Sequence, residues 1–346
     1  MSGGAAMSLA ACALGIREAV LSAHTRDTLK ELRPWALILF REACVDPVQT
    51  RALCEALREA VGHDALIWID QEGGRVARLK RPNWPTWPAA WAYGALYAQD
   101  PALGVEASRL GHRLIAHELK ALGVNGNFAP VLDVPVSGSD PIIGDRAFSQ
   151  APESVAALAQ AALDGLHAGG VAGCIKHIPG HGRADVDSHL ALPQVREGRN
   201  ALGADFAPFR ALKQAEAAMT AHIVFSAIDP DRPATHSPVM IDLIRTDIGF
   251  SGLLMSDDLD MKALSGTLMQ KAERAFAAGV DLVLQCNGVA GDMAAVAEGV
   301  PALSGLALAR AQAVEKWARA GAEPLDAAGA WWRLRQLMGP AIRAAG

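Results

Sequence analysis

The sequence predicts an α/β fold, a single (β/α)8 barrel with a C-terminal helical extension, and three observations predict it. Eight short apolar runs occur along the chain, longer stretches of helical period separate them, and clusters of carboxylates, imidazoles and cations follow four of the runs. Short apolar runs alternating with amphipathic stretches mark βαβ units on a parallel sheet. With eight strands, closure into a barrel leaves no edge to cover.

The first run, Ser8 to Ile16, is uncharged. Within it Leu9-Ala10-Ala11-Cys12 has the look of a bacterial lipoprotein cleavage box, but no Lys or Arg precedes it. An export signal needs a positive segment ahead of its apolar stretch, so a buried strand is expected instead. Trp35 to Phe40 is the second strand, Pro47 to Val61 the helix after it and Ala65 to Asp70 the third strand. The uncharged stretch Pro82 to Gln99 is interrupted by Pro85 and Pro88, so no membrane-spanning helix is expected there. Ala102 to Leu122 then reads as helix, Gly123 to Ala129 as strand, Pro152 to Ala168 as helix and Val171 to His177 as the fifth strand. Ala218 to Phe225 and Leu253 to Ser256 follow as strands, Thr267 to Ala278 as helix and Asp281 to Cys286 as the eighth strand. Met293 to Ala345 reads as helices, with Trp331 and Trp332 expected to pack on the barrel wall.

A barrel of this kind takes about 250 residues, and the chain has 346. No strand-forming run after Cys286 founds a second sheet, so one catalytic domain is expected over 1–346, the barrel at about 8–290 and helices at about 291–346. Hydrophobic residues make up 51% and the net charge is −5, enough apolar matter for a core and no basic excess for nucleic acid. Five cysteines without CxxC spacing support neither a disulfide framework nor a cysteine zinc site. A reducing compartment is the simpler reading.

In a barrel the C-terminal strand ends share one rim, where catalytic groups gather. The third strand runs into Asp70-Gln71-Glu72-Gly73-Gly74-Arg75 and on to Arg78, and the loop after the fourth carries Gly144-Asp145-Arg146. The fifth runs into Lys176-His177-Ile178-Pro179-Gly180-His181-Gly182 and then Asp187-Ser188-His189, and the seventh into Ser256-Asp257-Asp258-Leu259. Asp257 emerges from the barrel wall where a carboxylate could attack an anomeric carbon; the plainer alternative is that Asp257 or Asp258 caps the next turn. Asp187 and His189 flank one serine, so the carboxylate could hold the imidazole in one tautomer for proton transfer near neutral pH, or pair with it by accident on a solvated loop. Lys176, at the end of a buried strand, needs a polar partner or the open rim. Arg78, Arg146 and Asp70 offer directional hydrogen bonds to vicinal hydroxyls, or surface ion pairs. Trp84, Trp87 and Trp91 could stack on a sugar but are better read as loop packing.

These motifs, in this order on different strands, resemble glycoside hydrolase family 3, and more narrowly its single-domain bacterial β-N-acetylhexosaminidases of peptidoglycan recycling. The likeness covers about Ser8 to Asn287. It implies Asp257 as nucleophile and His189 as general acid/base oriented by Asp187, with Asp70, Arg78, Arg146, Lys176 and His177 binding a non-reducing N-acetylglucosamine. It also implies retaining hydrolysis of terminal β-linked N-acetylglucosamine from 1,6-anhydromuramoyl saccharides and peptides, without metal or other cofactor. A cytoplasmic monomer with no membrane or nucleic-acid partner is expected. Ile178 stands where many relatives have Phe, an exchange within a buried apolar position.

A retaining enzyme normally uses two carboxyl groups about 5 Å apart. Histidine in place of one repels an incoming anion less, so a phosphorylase that uses phosphate as acceptor is the close alternative. A metal-dependent barrel hydrolase built on His177, His181 and Asp187 and a non-catalytic glycan-binding barrel are further readings. The loop from Gly180 to His189 is expected to be mobile and to deliver His189 when substrate is bound.

Overall fold

The computed structural model describes residues 8–339. The seven N-terminal residues, and the last seven of the expected helical tail, lie outside them. Leu9-Ala10-Ala11-Cys12 leads into the strand Ala10–Ile16, buried from Ala11 onward. That strand pairs in parallel with Pro34–Leu39 on one side and Leu282–Gln285 on the other. Leu66–Ile69 and Gly126–Asn127 extend the first side, Leu253–Asp258 and Ala217–Thr220 the second, every pair parallel.

The fifth apolar run closes the circle. It forms two short strands, Ala172–Gly173 and Ile175–Ile178. The first pairs with Gly126–Asn127 and the second with Ala217–Thr220, so the two ends of the nine-strand order belong to one stretch of chain interrupted at Cys174. The architecture is the expected (β/α)8 barrel.

Period-2 alternation divides the strand residues into two apolar sets. Cys12, Leu14 and Ile16 join the layer between strands and helices, where Leu57, Leu119 and Leu166 also pack. Ala11 and Ala13 join a second cluster with Trp35, Trp68 and Phe128. Trp68 stacks on Phe128 with ring centroids 4.9 Å apart. The same cluster contains Ala311, Val314 and Ala318 of the helix Gly305–Ala318, whose Glu315 accepts the Trp35 indole N–H at 2.9 Å. This tail helix therefore packs into the set to which Ala11 and Ala13 belong.

Several boundaries differ from expectation for identifiable reasons. The fourth strand shrinks from Gly123–Ala129 to Gly126–Asn127. A Cβ at Gly126 would lie 2.3 Å from the Trp68 ring, so the residue there is small to admit the indole and adds nothing to the apolar pattern. The sixth run splits, because Val224–Phe225 leaves the barrel to pair with Gln194–Val195. The seventh strand extends through Asp258, which places Asp257 and Asp258 in the strand rather than beyond it.

Helices Pro47–Val61 and Pro152–Ala168 fall where their period puts them, and Thr267 caps Leu268–Ala278 in a reciprocal capping box with Gln270. The helix Ala327–Met338 docks by Trp331, which stacks on Trp87 at 4.7 Å, and by the Arg333–Glu106 ion pair. Trp332 does not pack on the wall: it is 65% exposed, because adjacent residues on a helix point about 100° apart and Trp331 takes the inward direction.

Candidate active site

The cavity, of about 480 Å³, is lined by Asp70, Arg78, Arg146, Lys176, His177 and Asp257, as well as by His189. Seven of the eight residues singled out from sequence thus meet in one place. The eighth, Asp187, reaches it through His189, whose Nδ1 lies 2.8 Å from Asp187 Oδ1. Phe40, Phe128 and Met219 of the second apolar cluster also line the cavity, which places it against one end of that cluster.

Five charges of alternating sign form one side of the site. Arg78 donates to Asp70 Oδ2 at 2.9 Å, and Lys176 Nζ reaches Asp70 Oδ1 at 2.9 Å and Glu72 Oε1 at 2.6 Å. Arg146 grips Glu72 with two hydrogen bonds of 2.9 Å, the fork geometry that suits guanidinium to carboxylate. Burial alone would raise the Asp70 and Glu72 carboxyls. Lys176 and Arg78 outweigh it at Asp70, Arg146 and Lys176 at Glu72, and both carboxyls stay below their ordinary values. Lys176 is 2% exposed and remains an ammonium because the two carboxylates offset the burial that would otherwise lower it. Glu72, to which the third-strand motif alone assigns no role, joins Lys176 to Arg146.

Asp133 is a site residue that the sequence motifs do not reveal. It is fully buried, accepts the main-chain N–H groups of His177 (3.1 Å) and His181 (2.7 Å) on Oδ1, and accepts the His177 ring at 2.7 Å on Oδ2. A carboxylate can only accept, so His177 carries its proton on Nδ1 toward Asp133, and Nε2 is the other ring nitrogen. Burial would raise Asp133, yet His177 and His181 bring it down to about 2. A single carboxylate between Leu132 and Val134 is the available signal, since an isolated charge in an apolar run must have a buried partner.

Asp257 accepts the Asp258 N–H at 2.8 Å. Burial pushes its carboxyl up, but His222, His177 and that amide together hold it below its ordinary value, so it is an anion at neutral pH. Asp258 serves the backbone instead. Its Oδ1 accepts the N–H groups of Asp260 (3.0 Å) and Cys286 (3.1 Å), fixing the turn to the neighbouring strand. Burial and the adjacent Asp260 raise the Asp258 carboxyl. His222, which the motifs also miss, sits beneath the pair. Its Nε2 donates to the Asp258 carbonyl at 3.0 Å, and Nδ1 lies 2.7 Å from the Thr235 hydroxyl.

His189 is the exposed member, its side chain 64% accessible. The loop carrying it is tied at both shoulders. Val136 and Asp140 donate to the carbonyls of Gly182 and Ala184, Asp185 accepts the Gln194 N–H at 2.9 Å, and Gln194–Val195 pairs with Val224–Phe225. Ser188 Oγ lies 3.3 Å from His181 Nε2. Burial and the neighbouring His177 push the His181 pKa down to about 4.

Among the described residues no three His, Cys, Asp or Glu side chains gather as a metal site. His177 turns to Asp133 and Asp187 to His189, so the set His177, His181 and Asp187 is not assembled. Of the loop tryptophans, Trp84 and Trp87 are buried in packing, and Trp91 is exposed without lining the cavity. Ile178 is fully buried, as expected of an apolar exchange.

Residues 12–319 match the family model of the glycosyl hydrolase family 3 N-terminal domain. A β-hexosaminidase of Alkalilimnicola ehrlichii is 42% identical over 290 residues, covering 81% of this chain and 82% of its own. One from Pseudomonas aeruginosa is 38% identical, covering 77% and 79%. Among solved structures, native NagZ from Neisseria gonorrhoeae superposes with a TM-score of 0.85 at 31% identity, over 96% of this chain and 99% of that one.

Proposed function

The chain belongs to glycoside hydrolase family 3 and is a glycoside hydrolase of the β-hexosaminidase kind, and from that premise we propose that it is an exo-acting, retaining β-N-acetylglucosaminidase. Its substrates in this reading are 1,6-anhydromuramoyl saccharides and peptides released in peptidoglycan turnover. It acts as a cytoplasmic monomer on fragments already imported. No described helix is long and apolar enough to cross a membrane.

The observation that carries the reading is the convergence of the Asp257 carboxylate and the Asp187-oriented His189 on one cavity with an ion-paired polar wall. Asp70, Arg78, Lys176, His177 and Arg146 hold the hydroxyls and acetamido group of the terminal sugar. Asp257 attacks the anomeric carbon, and His189 gives its proton to the departing oxygen. The same imidazole, now neutral, then takes a proton from water, which opens the glycosyl-enzyme and returns the sugar with its original configuration. His177, fixed by Asp133, presents Nε2 to the sugar as an acceptor.

A chromogenic aryl N-acetylglucosaminide should be cleaved with retention, visible by NMR of the first-formed anomer. Asp257→Ala should lower kcat by more than about 1,000-fold with the circular dichroism spectrum unchanged. Turnover that survives in that variant overturns the assignment. N-acetylglucosamine 1-phosphate as the main product in phosphate buffer would instead make phosphate the acceptor.

A further inference from the structure

The hairpin that follows the third barrel strand separates two hollows. Its strands are Gln71–Gly73 and Val76–Ala77. Val76 and Arg78 line the cavity described above, while Ala77 and Leu79 line a second hollow of about 300 Å³. This is the two-sided alternation of extended chain. Arg41 lines both hollows.

The second hollow is cationic on every charged position. Arg41, Lys80 and Arg81 line it together with Thr86, and no carboxylate does. The neighbouring cations are already paired: Arg17 with Glu42, Arg75 with Asp145 and Arg78 with Asp70. Among the described residues Arg41, Lys80 and Arg81 have no ion-pair partner, and the one hydrogen bond of the Lys80 ammonium goes to the Arg75 carbonyl at 3.2 Å. Burial, with Arg41 and Arg78 nearby, lowers Lys80 below the ordinary lysine value, as uncompensated positive charge should.

We propose that this hollow is a carboxylate site for the leaving-group side of the substrate, which a substrate arm reaches by passing Arg41. The proposal rests on the reading of the first cavity as the N-acetylglucosamine site. A β-hexosaminide whose aglycone carries a carboxylate then spans both hollows, the neutral sugar in one and the acid in the other. Two sources supply that chemistry on a muramoyl aglycone: the lactyl carboxylate itself, or the carboxylates of a peptide joined to it.

The experiment uses the full chain and four substrates: a neutral aryl N-acetylglucosaminide, the N-acetylglucosaminyl anhydromuramic acid with its lactyl acid free, the same compound as methylamide, and the same compound carrying a peptide with free carboxylates. Lys80→Ala and Arg81→Ala, alone and together, and the charge reversal Lys80→Glu are compared with the parent. We expect KM for a carboxylate-bearing substrate to rise about fivefold in the double variant and further in Lys80→Glu, with kcat and the aryl substrate unchanged. The preference for the acid over the amide should shrink as salt screens the exposed cations. If the free acid responds and the methylamide does not, the lactyl group is the occupant; if only the peptide-bearing compound responds, the peptide carboxylates are. Equal KM for acid and amide, with no response of any carboxylate-bearing substrate to these variants, overturns the proposal. Failure to cleave the aryl substrate would count against the functional reading instead.

Discussion

The ring Nδ1 and the main-chain N–H of His189 both meet one oxygen of Asp187, Oδ1, at 2.8 Å each. Two donors on one acceptor orient the imidazole and leave Nε2 as the nitrogen able to exchange a proton with a substrate. Burial would raise Asp187, but the His189 amide and ring hold it below its ordinary value, so it stays an anion at neutral pH.

Asp187→Ala should therefore lower kcat by about 100-fold, within the range for loss of an oriented acid/base, with KM changed less than about threefold. Steady-state kinetics on the aryl substrate reads the split. A loss confined to KM would mean that Asp187 only shapes the loop.

Asp133 offers a test of tautomer. In Asp133→Asn the amide NH2 cannot accept from His177 Nδ1–H, and the ring is driven to carry its proton on Nε2, facing the ligand as a donor. KM should rise about tenfold. The variant also probes acid stability: Asp133 is lowered to about 2 when folded, so its contribution is fully present above the unfolded value near 3.8 and lost as pH falls through about 2. Asparagine at 133 should flatten the fall in stability between about pH 4 and pH 2, measured by denaturant titration. An unchanged slope would refute this account.

His222 contacts the reacting residue only through Asp258, so it is a positioning residue. His222→Ala should cut kcat about tenfold by freeing the Asp258 carbonyl; burial keeps this imidazole below the ordinary histidine pKa, so it is charged only on the acidic side, where the alanine variant no longer holds Asp257 down. The acidic limb of the kcat/KM profile should then move to higher pH, because Asp257 protonates earlier on the way down. His222→Gln, which can still donate to that carbonyl, should restore much of kcat. A purely structural role would lower thermal stability and leave the pH limb where it was.

The eight strands were legible because a buried strand needs uninterrupted apolar residues and a following helix needs its own period. Periodicity failed where packing replaced it. Gly126 makes room for Trp68, and Val224–Phe225 leaves the barrel for a partner 30 residues earlier in the chain. Asp257, His189 and Lys176 stood out because they ended apolar runs or clustered in loops. His222 lies inside the sixth run and Asp133 in the apolar stretch Val131 to Val134 that follows the fourth, and their partners, Asp258 and His177, are 36 and 44 residues away. Sequence shows that such groups must be satisfied without showing by what.

The alternating chain from Arg78 through Asp70, Lys176 and Glu72 to Arg146 has a consequence for how affinity and turnover divide. Its members restrain one another before any sugar arrives, so docking a neutral glycone there displaces no counter-ion and freezes few side chains. His189, on an exposed loop, contributes to none of those pairs. A glycone mimic should therefore bind with nearly the same strength at low and high salt.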